Sequence, residues 1–186
     1  MSHFTIQPTP IKGLQIIERH PIRDERGYLE RLFCTEELGP IFGNRQVLQI
    51  NHTFTAKAGT LRGFHFQHPP HGEMKLVTCL RGKVFDVAVD IRADSPSFGQ
   101  HHAEILSANN HKLFAIPEGF AHGFQTLTED CELLYLHTAP YRHDAEDGLD
   151  ALDPALAISW PKPVSERSAR DQTHASITDV FPGVLE

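Results

Sequence analysis

Cysteine, tryptophan, methionine and positive charge are all scarce in this chain of 186 residues. It has 3 cysteines, 1 tryptophan and 2 methionines, and 17 Lys+Arg stand against 24 Asp+Glu, a formal charge of −7 with histidines neutral. Cys34, Cys79 and Cys131 are odd in number and lack CxxC spacing. That argues against a disulfide frame or a structural zinc site and suits reduced thiols in a core. The cationic deficit argues against nonspecific nucleic-acid binding, because phosphates demand a basic footprint; an anionic ligand has to be held by a local cluster of Arg and Lys. No run approaches the roughly 18 consecutive apolar residues of a spanning helix, and the first residues, MSHFTIQPTPIKG, contain no apolar leader. Neither a membrane partner nor secretion is expected, and the expected location is cytoplasmic.

The hydrophobic fraction of 40% and charged fraction of 22% fit one globular domain over 1–186. The chain also carries 13 histidines, 13 glycines, 13 prolines and 12 phenylalanines. Many turn formers and aromatics favour an all-β fold. In the run from Val84 to Ile91 the odd positions are large and apolar while the even ones include Asp86 and Asp90, the period-2 pattern of a strand with one buried face. Lys75–Leu80 reads as a strand before it, with Arg81-Gly82-Lys83 as the hairpin turn. Further strands are predicted at 46–55, 61–67, 103–106, 112–116, 123–127 and 132–137, with turns at Asn109-Asn110 and Glu129-Asp130. Strands at this spacing without long helical periods predict antiparallel pairing in a double-sheet jelly roll. Helix is expected only in short pieces, at Thr35–Leu38 and after Trp160.

Two segments carry candidate chemistry. Leu61-Arg62-Gly63-Phe64-His65-Phe66-Gln67 places Arg, His and Gln on one strand. Alternation sends His65 and Gln67 to one face and Arg62 to the other, unless a bulge at Gly63 turns Arg62 inward. Pro117-Glu118-Gly119-Phe120-Ala121-His122 makes a tight turn that delivers His122 at the start of a strand, and its P-x-G-x-x-H spacing resembles the second histidine motif of the cupin superfamily. Metal-binding cupins have H-x-H in the first motif; here that strand reads His65-Phe66-Gln67, and an amide weakens a transition-metal set. No metal is therefore expected. Histidine titrates near neutral pH and can serve as a base instead. Tyr135, on an alternating strand, is a candidate proton donor or a packed core tyrosine. Lys75 is a candidate for supporting an oxyanion or a solvated strand-end lysine.

Together with Asp24-Glu25-Arg26-Gly27-Tyr28, Gln49-Ile50-Asn51-His52, Arg81–Asp90 and Asp153-Pro154-Ala155-Leu156, these segments resemble the dTDP-4-dehydrorhamnose 3,5-epimerase family, nearly the whole length of the chain. The resemblance implies a cupin-type jelly roll with an N-terminal hairpin and dimer-contact region over 1–45, a jelly-roll core over 46–140 and a C-terminal crossover and tail over 141–186. It implies an isomerase that inverts C3 and C5 of a dTDP-4-keto-6-deoxyhexose without a cofactor. His65 matches the general base, Tyr135 the acid on the other face, and Lys75 the residue beside the enolate oxygen. A tail carboxylate pairs with the base. Ser168-Ala169-Arg170-Asp171 fits the family tetrad and points to Asp171, while the frame Ser165-Glu166-Arg167-Ser168 would put a serine there. Arg62 and His122 match substrate-contacting positions, Arg62 as a bidentate diphosphate ligand. Gln49, Asn51 and Tyr141 look like further pocket residues. In a homodimer, Arg26, Tyr28 and Glu30 of the hairpin would reach the neighbouring protomer's nucleotide; a plain surface hairpin is the alternative.

Three other readings compete. One is inversion at C3 or C5 alone. Another is a metal-dependent cupin oxygenase using His65, His122 and a carboxylate such as Glu73. The third is a non-catalytic nucleotide-sugar-binding cupin.

Overall fold

In a computed structural model that describes residues 2–177 and 181–185, the chain forms two antiparallel sheets stacked face to face. The six-stranded sheet runs β1 (Phe4–Pro8), β2 (Gln15–Arg19), β10 (Lys112–Ile116), β7 (Lys75–Arg81), β12 (Cys131–His137), β5 (Gln49–Thr55). The five-stranded sheet runs β13 (Glu146–Gly148), β6 (Leu61–Gln67), β11 (Phe120–Thr126), β8 (Lys83–Asp90), β9 (His101–Ser107). A separate exposed hairpin joins β3 (Ile22–Asp24) to β4 (Gly27–Leu29). Every predicted strand is present, with ends shifted by three residues or fewer. The alternation within 4–8 and 15–19 was too short to be read in the sequence, so β1 and β2 extend the jelly roll beyond the expected core at 46–140. Among the described residues no helix is long and apolar enough to cross a membrane.

The short helix α1 spans Gly39–Phe42, just after the predicted Thr35–Leu38, which is a turn. Pro40 explains the offset: its fixed φ suits the first turn of a helix but not its interior. No helix is seen among the described residues after Trp160; a single 3-10 turn, Pro154–Leu156, precedes it, with the Asp153 carboxylate accepting from the Ala155 N–H.

Three apolar layers hold the sheets. Val77, Cys79, Phe114 and Leu133 of one sheet meet Val84, Ala88, Leu106 and Phe124 of the other in the interior. Leu38, Phe42 and Met74 cover the outer face of the six-stranded sheet. Trp160, Leu156 and Ile177, all from the C-terminal tail, cover Leu61, Phe64, Phe66, Val87 and Val89 on the outer face of the five-stranded sheet. This revises the one-faced reading of β8. Its apolar odd positions lie under the tail, and its even positions, Asp86 and Asp90, are buried too, facing inward rather than toward water.

The decisive local feature is in β6. His65 pairs with His122 and Arg62 with Phe124, so Gly63 and Phe64 together stand opposite Gly123 alone. One extra residue reverses the alternation. Leu61, Phe64 and Phe66 all point to the tail-covered face, and Arg62 and His65, three apart, both face the interior. Gly63 has φ +105°, and a Cβ there would lie 2.7 Å from both Gly123 Cα and His122 O. Gly63→Ala therefore combines a left-handed backbone with a backbone clash, expected to cost about 2 kcal/mol or more. Its thermal midpoint should fall by about 4–8 °C for a chain of this size, read by scanning calorimetry; an unchanged midpoint would show that the bulge tolerates a side chain.

Candidate active site

The two sheets part at one end to leave a cavity of about 260 Å³, open to solvent. β6 and β11 supply Arg62, His65 and His122 to one wall; β5, β7 and β12 supply Gln49, Asn51, Lys75, Tyr135 and His137 to the other; and Tyr141 and Glu146 stand at the rim. Strand alternation sets the second wall: Gln49, Asn51 and Thr53 line the cavity, whereas Ile50 and Phe54 are more than half exposed on the opposite face.

His65 is held from behind. Its Nε2 lies 2.8 Å from Asp171 Oδ1, and the other carboxylate oxygen accepts the Gly63 N–H at 3.2 Å. Asp171, not Ser168, is thus the tail residue that meets His65; the Ser168 hydroxyl instead accepts the Asp171 N–H at 3.0 Å. Burial disfavours the Asp171 carboxylate, but the hydrogen bond and charge of His65, with Gly63 and Ser168, outweigh it and hold its pKa down at about 2.

Across the cavity, burial pushes the Tyr135 phenol well above its usual range, and the nearby Asp86 carboxylate adds to the rise. The phenol therefore keeps its proton at neutral pH. Its ring packs edge-on against His122 and is stacked with His137, both at 6.0 Å between centroids. His122 pairs with fully buried Asp86 at 2.8 Å. Desolvation raises the Asp86 pKa against the opposing pull of His122, and Asp86 Oδ2 has no hydrogen-bond partner.

Lys75 is buried rather than a solvated strand end. Its Nζ lies 3.1 Å from Glu73 Oε1 and donates to the His65 carbonyl at 3.4 Å. Glu73 also pairs with His137 at 2.7 Å, and burial of Glu73 is outweighed by Lys75 and His137, which lower its pKa. Arg62 donates to the Thr55 hydroxyl at 3.3 Å, its guanidinium otherwise facing the opening. At the rim the Tyr141 hydroxyl donates to Glu146, which also pairs with Arg170 at 2.8 Å.

The hairpin residues are elsewhere. Arg26 pairs with Asp24, Tyr28 lies beneath Arg23, and Glu30 is tied to Arg19 and His111; none of the three lines the cavity. The ligand set imagined for a metal oxygenase does not converge either. His65 and His122 each bond a different carboxylate, and the Gln67 amide bonds the His71 carbonyl and the Arg142 N–H.

The sequence profile of the dTDP-4-dehydrorhamnose 3,5-epimerase family matches residues 8–179. Enzymes of that name from Salmonella typhimurium and Sinorhizobium fredii are 42% and 37% identical to the chain. The first alignment covers 88% of this chain and 90% of the relative, the second 97% and 93%. The chain belongs to the dTDP-4-dehydrorhamnose 3,5-epimerase family. It is also similar to the crystal structure of a dTDP-6-deoxy-D-glucose-3,5-epimerase from Legionella pneumophila in complex with dTDP-4-keto-L-rhamnose, at 38% identity and a TM-score of 0.91 over 99% of both chains. The chain is an isomerase with the cupin-type fold of this epimerase family.

Several residues that line the cavity or support its walls were not read from sequence. Asp86 lay unexplained in an alternating strand, and its pairing with His122 follows from the β8–β11 register, in which it sits opposite Phe124. Glu146 and His137 carried no motif of their own, and Arg170 stood only as a member of the tail tetrad. His174, three residues after Asp171, packs edge-on against His65 at 5.7 Å. Its side chain makes no hydrogen bond to another described residue, and burial, with the charge of His65, lowers its pKa.

The depressed pKa of Asp171 has a pH signature. A carboxylate that titrates near 2 when folded and near 3.9 when unfolded contributes stability that is present above about pH 4 and lost as pH falls through about 2. Asp171→Asn should cost about 2 kcal/mol at pH 5–6 and little near pH 2, compared by urea unfolding; a cost independent of pH would contradict this electrostatic role.

Proposed function

We propose that the chain inverts C3 and C5 of a dTDP-4-dehydro-6-deoxyhexose, in deoxysugar biosynthesis of the dTDP-rhamnose type. The observation that carries this reading is the opposition across one cavity of a carboxylate-backed imidazole on β6 and a protonated phenol on β12. A hydrogen on carbon next to a ketone is removable because the resulting charge spreads onto the oxygen as an enolate. With Nε2–H held by Asp171, the lone pair on His65 Nδ1 takes the proton. The Lys75 ammonium supports charge on the C4 oxygen, and Tyr135 delivers a proton to the opposite face of the same carbon. Inversion follows because removal and return come from different sheets. The chemistry requires no redox cofactor.

Arg62, with Arg170 at the rim, supports binding of the diphosphate; His122, Gln49, Asn51 and Tyr141 would contact the sugar and nucleotide. The unit is proposed to be a homodimer in which Arg26, Tyr28 and Glu30 of one hairpin complete the partner's pocket. Exposed Ile22, Tyr28 and Leu29 on the hairpin, and Ile50 and Phe54 on edge strand β5, favour burial against a second copy. Three free thiols fit the reducing cytoplasm.

In heavy water, the product should acquire deuterium at both C3 and C5, located by NMR. Deuterium at one carbon only would make this a single-site epimerase, and none at either carbon with any dTDP-4-keto sugar would overturn the reading. His65→Ala should lower turnover by about two orders of magnitude or more while dTDP still binds, as expected for loss of a general base. Tyr135→Phe should block inversion yet still let His65 exchange the α-hydrogen with solvent on its own face. Loss of exchange together with inversion in that variant would place the base elsewhere.

A further inference from the structure

Among the described residues, one group of histidine and carboxylate side chains lies close enough to share an ion, and it is built around the base. One ring nitrogen of His65, one of His174 and a carboxylate oxygen of Asp171 lie within 4.8 Å of one another. We propose that these three side chains form a binding site for a borderline-soft divalent cation of the Zn²⁺ type, occupied in place of the proton shared by His65 and Asp171.

The donor chemistry favours such an ion. Two imidazoles and one carboxylate are a ligand set that zinc takes at about 2.0–2.2 Å in a tetrahedral arrangement, with the fourth position left to water. That arrangement separates ligand atoms by about 3.3 Å. His65 Nε2 and Asp171 Oδ1, at 2.8 Å, need to part by only about 0.5 Å, and His174 closes the remaining gap by turning its ring. No hydrogen bond holds the His174 ring, and its buried Nδ1 has no partner. The ring lies against Gly148 in space that a side chain would fill: a Cβ there would lie 2.3 Å from His174 Nδ1.

The surrounding charge permits a cation. The two nearest guanidiniums are each paired, Arg167 with Asp150 at 2.6 Å and Arg170 with Glu146 at 2.8 Å. The route in is the outer cavity of about 470 Å³ bordered by His65, Ser168, Arg170 and Asp171. The metal site stands apart from the assigned reaction. Its consequence, silencing of the base because an imidazole ligated through Nε2 carries its proton on Nδ1 and has no lone pair left for the substrate, rests on that reading.

The test uses the full chain, with Zn²⁺ alone and no substrate, so its outcome is independent of whether the chain is an epimerase. Isothermal titration calorimetry should show one saturable site per chain, weakened at least tenfold or lost in His174→Ala. Imidazole ¹⁵N NMR of the wild-type chain, which requires no variant to fold, should show His65 and His174 shifting together at one equivalent of Zn²⁺. Equal Zn²⁺ affinity in wild type and His174→Ala would overturn the proposal. So would the absence of saturable binding, or shifts confined to other histidines.

Discussion

The bulge at Gly63 is the constraint on which the site depends. An extra residue facing Gly123 turns Arg62 to the same side as His65, so a guanidinium and an imidazole enter one cavity from one strand. The same glycine presents its N–H to Asp171, so the backbone that creates the bulge also anchors the carboxylate behind the base. The tail reaches that point because Leu61, Phe64 and Phe66 need cover on their outer face, and Trp160, Leu156 and Ile177 provide it. Packing of the tail and orientation of the base are one event.

Electrostatically, the cavity is organised as three histidine–carboxylate pairs: His65–Asp171, His122–Asp86 and His137–Glu73. Their surroundings separate them. Asp171 is held charged by several donors, Asp86 is pushed toward neutrality by complete burial, and Glu73 is kept charged by Lys75 as well as His137. The buried Asp86 also helps keep the Tyr135 phenol protonated. A charged carboxylate and a protonated phenol therefore stand on two sides of a small space, because Asp171 lies in a network of donors and Tyr135 in a desolvated wall.

Much of the fold was legible because period-2 alternation and turn residues are local signals. Lys75–Leu80, Val84–Ile91 and 132–137 were placed within a residue or so for that reason, whereas Gly63 only left open a bulge, and plain alternation would have sent Arg62 to the face opposite His65. The short strands at 4–8 and 15–19 were missed because five residues hold too few alternations to distinguish a strand from a turn-rich start. The Thr35–Leu38 helix was misplaced because Thr35 is a residue type that caps helices, whereas the helix that forms has no side-chain cap and begins where Pro40 fits its first turn.

What the sequence determined by itself was chemistry that travels with contiguous residues: the strand content, the excess of acidic over basic residues, the His65 and His122 segments, and a family resemblance that brought Tyr135, Lys75 and Asp171 together. The tertiary structure decided what depends on register and coverage. Asp86 meets His122 from a different strand, His137 bridges Glu73 to the Tyr135 wall, His174 comes to lie against His65, and Lys75 is buried. These pairings join residues 36, 64 and 109 positions apart by number, and a linear pattern cannot encode them. They arise only once two sheets stack and a tail closes over one of them.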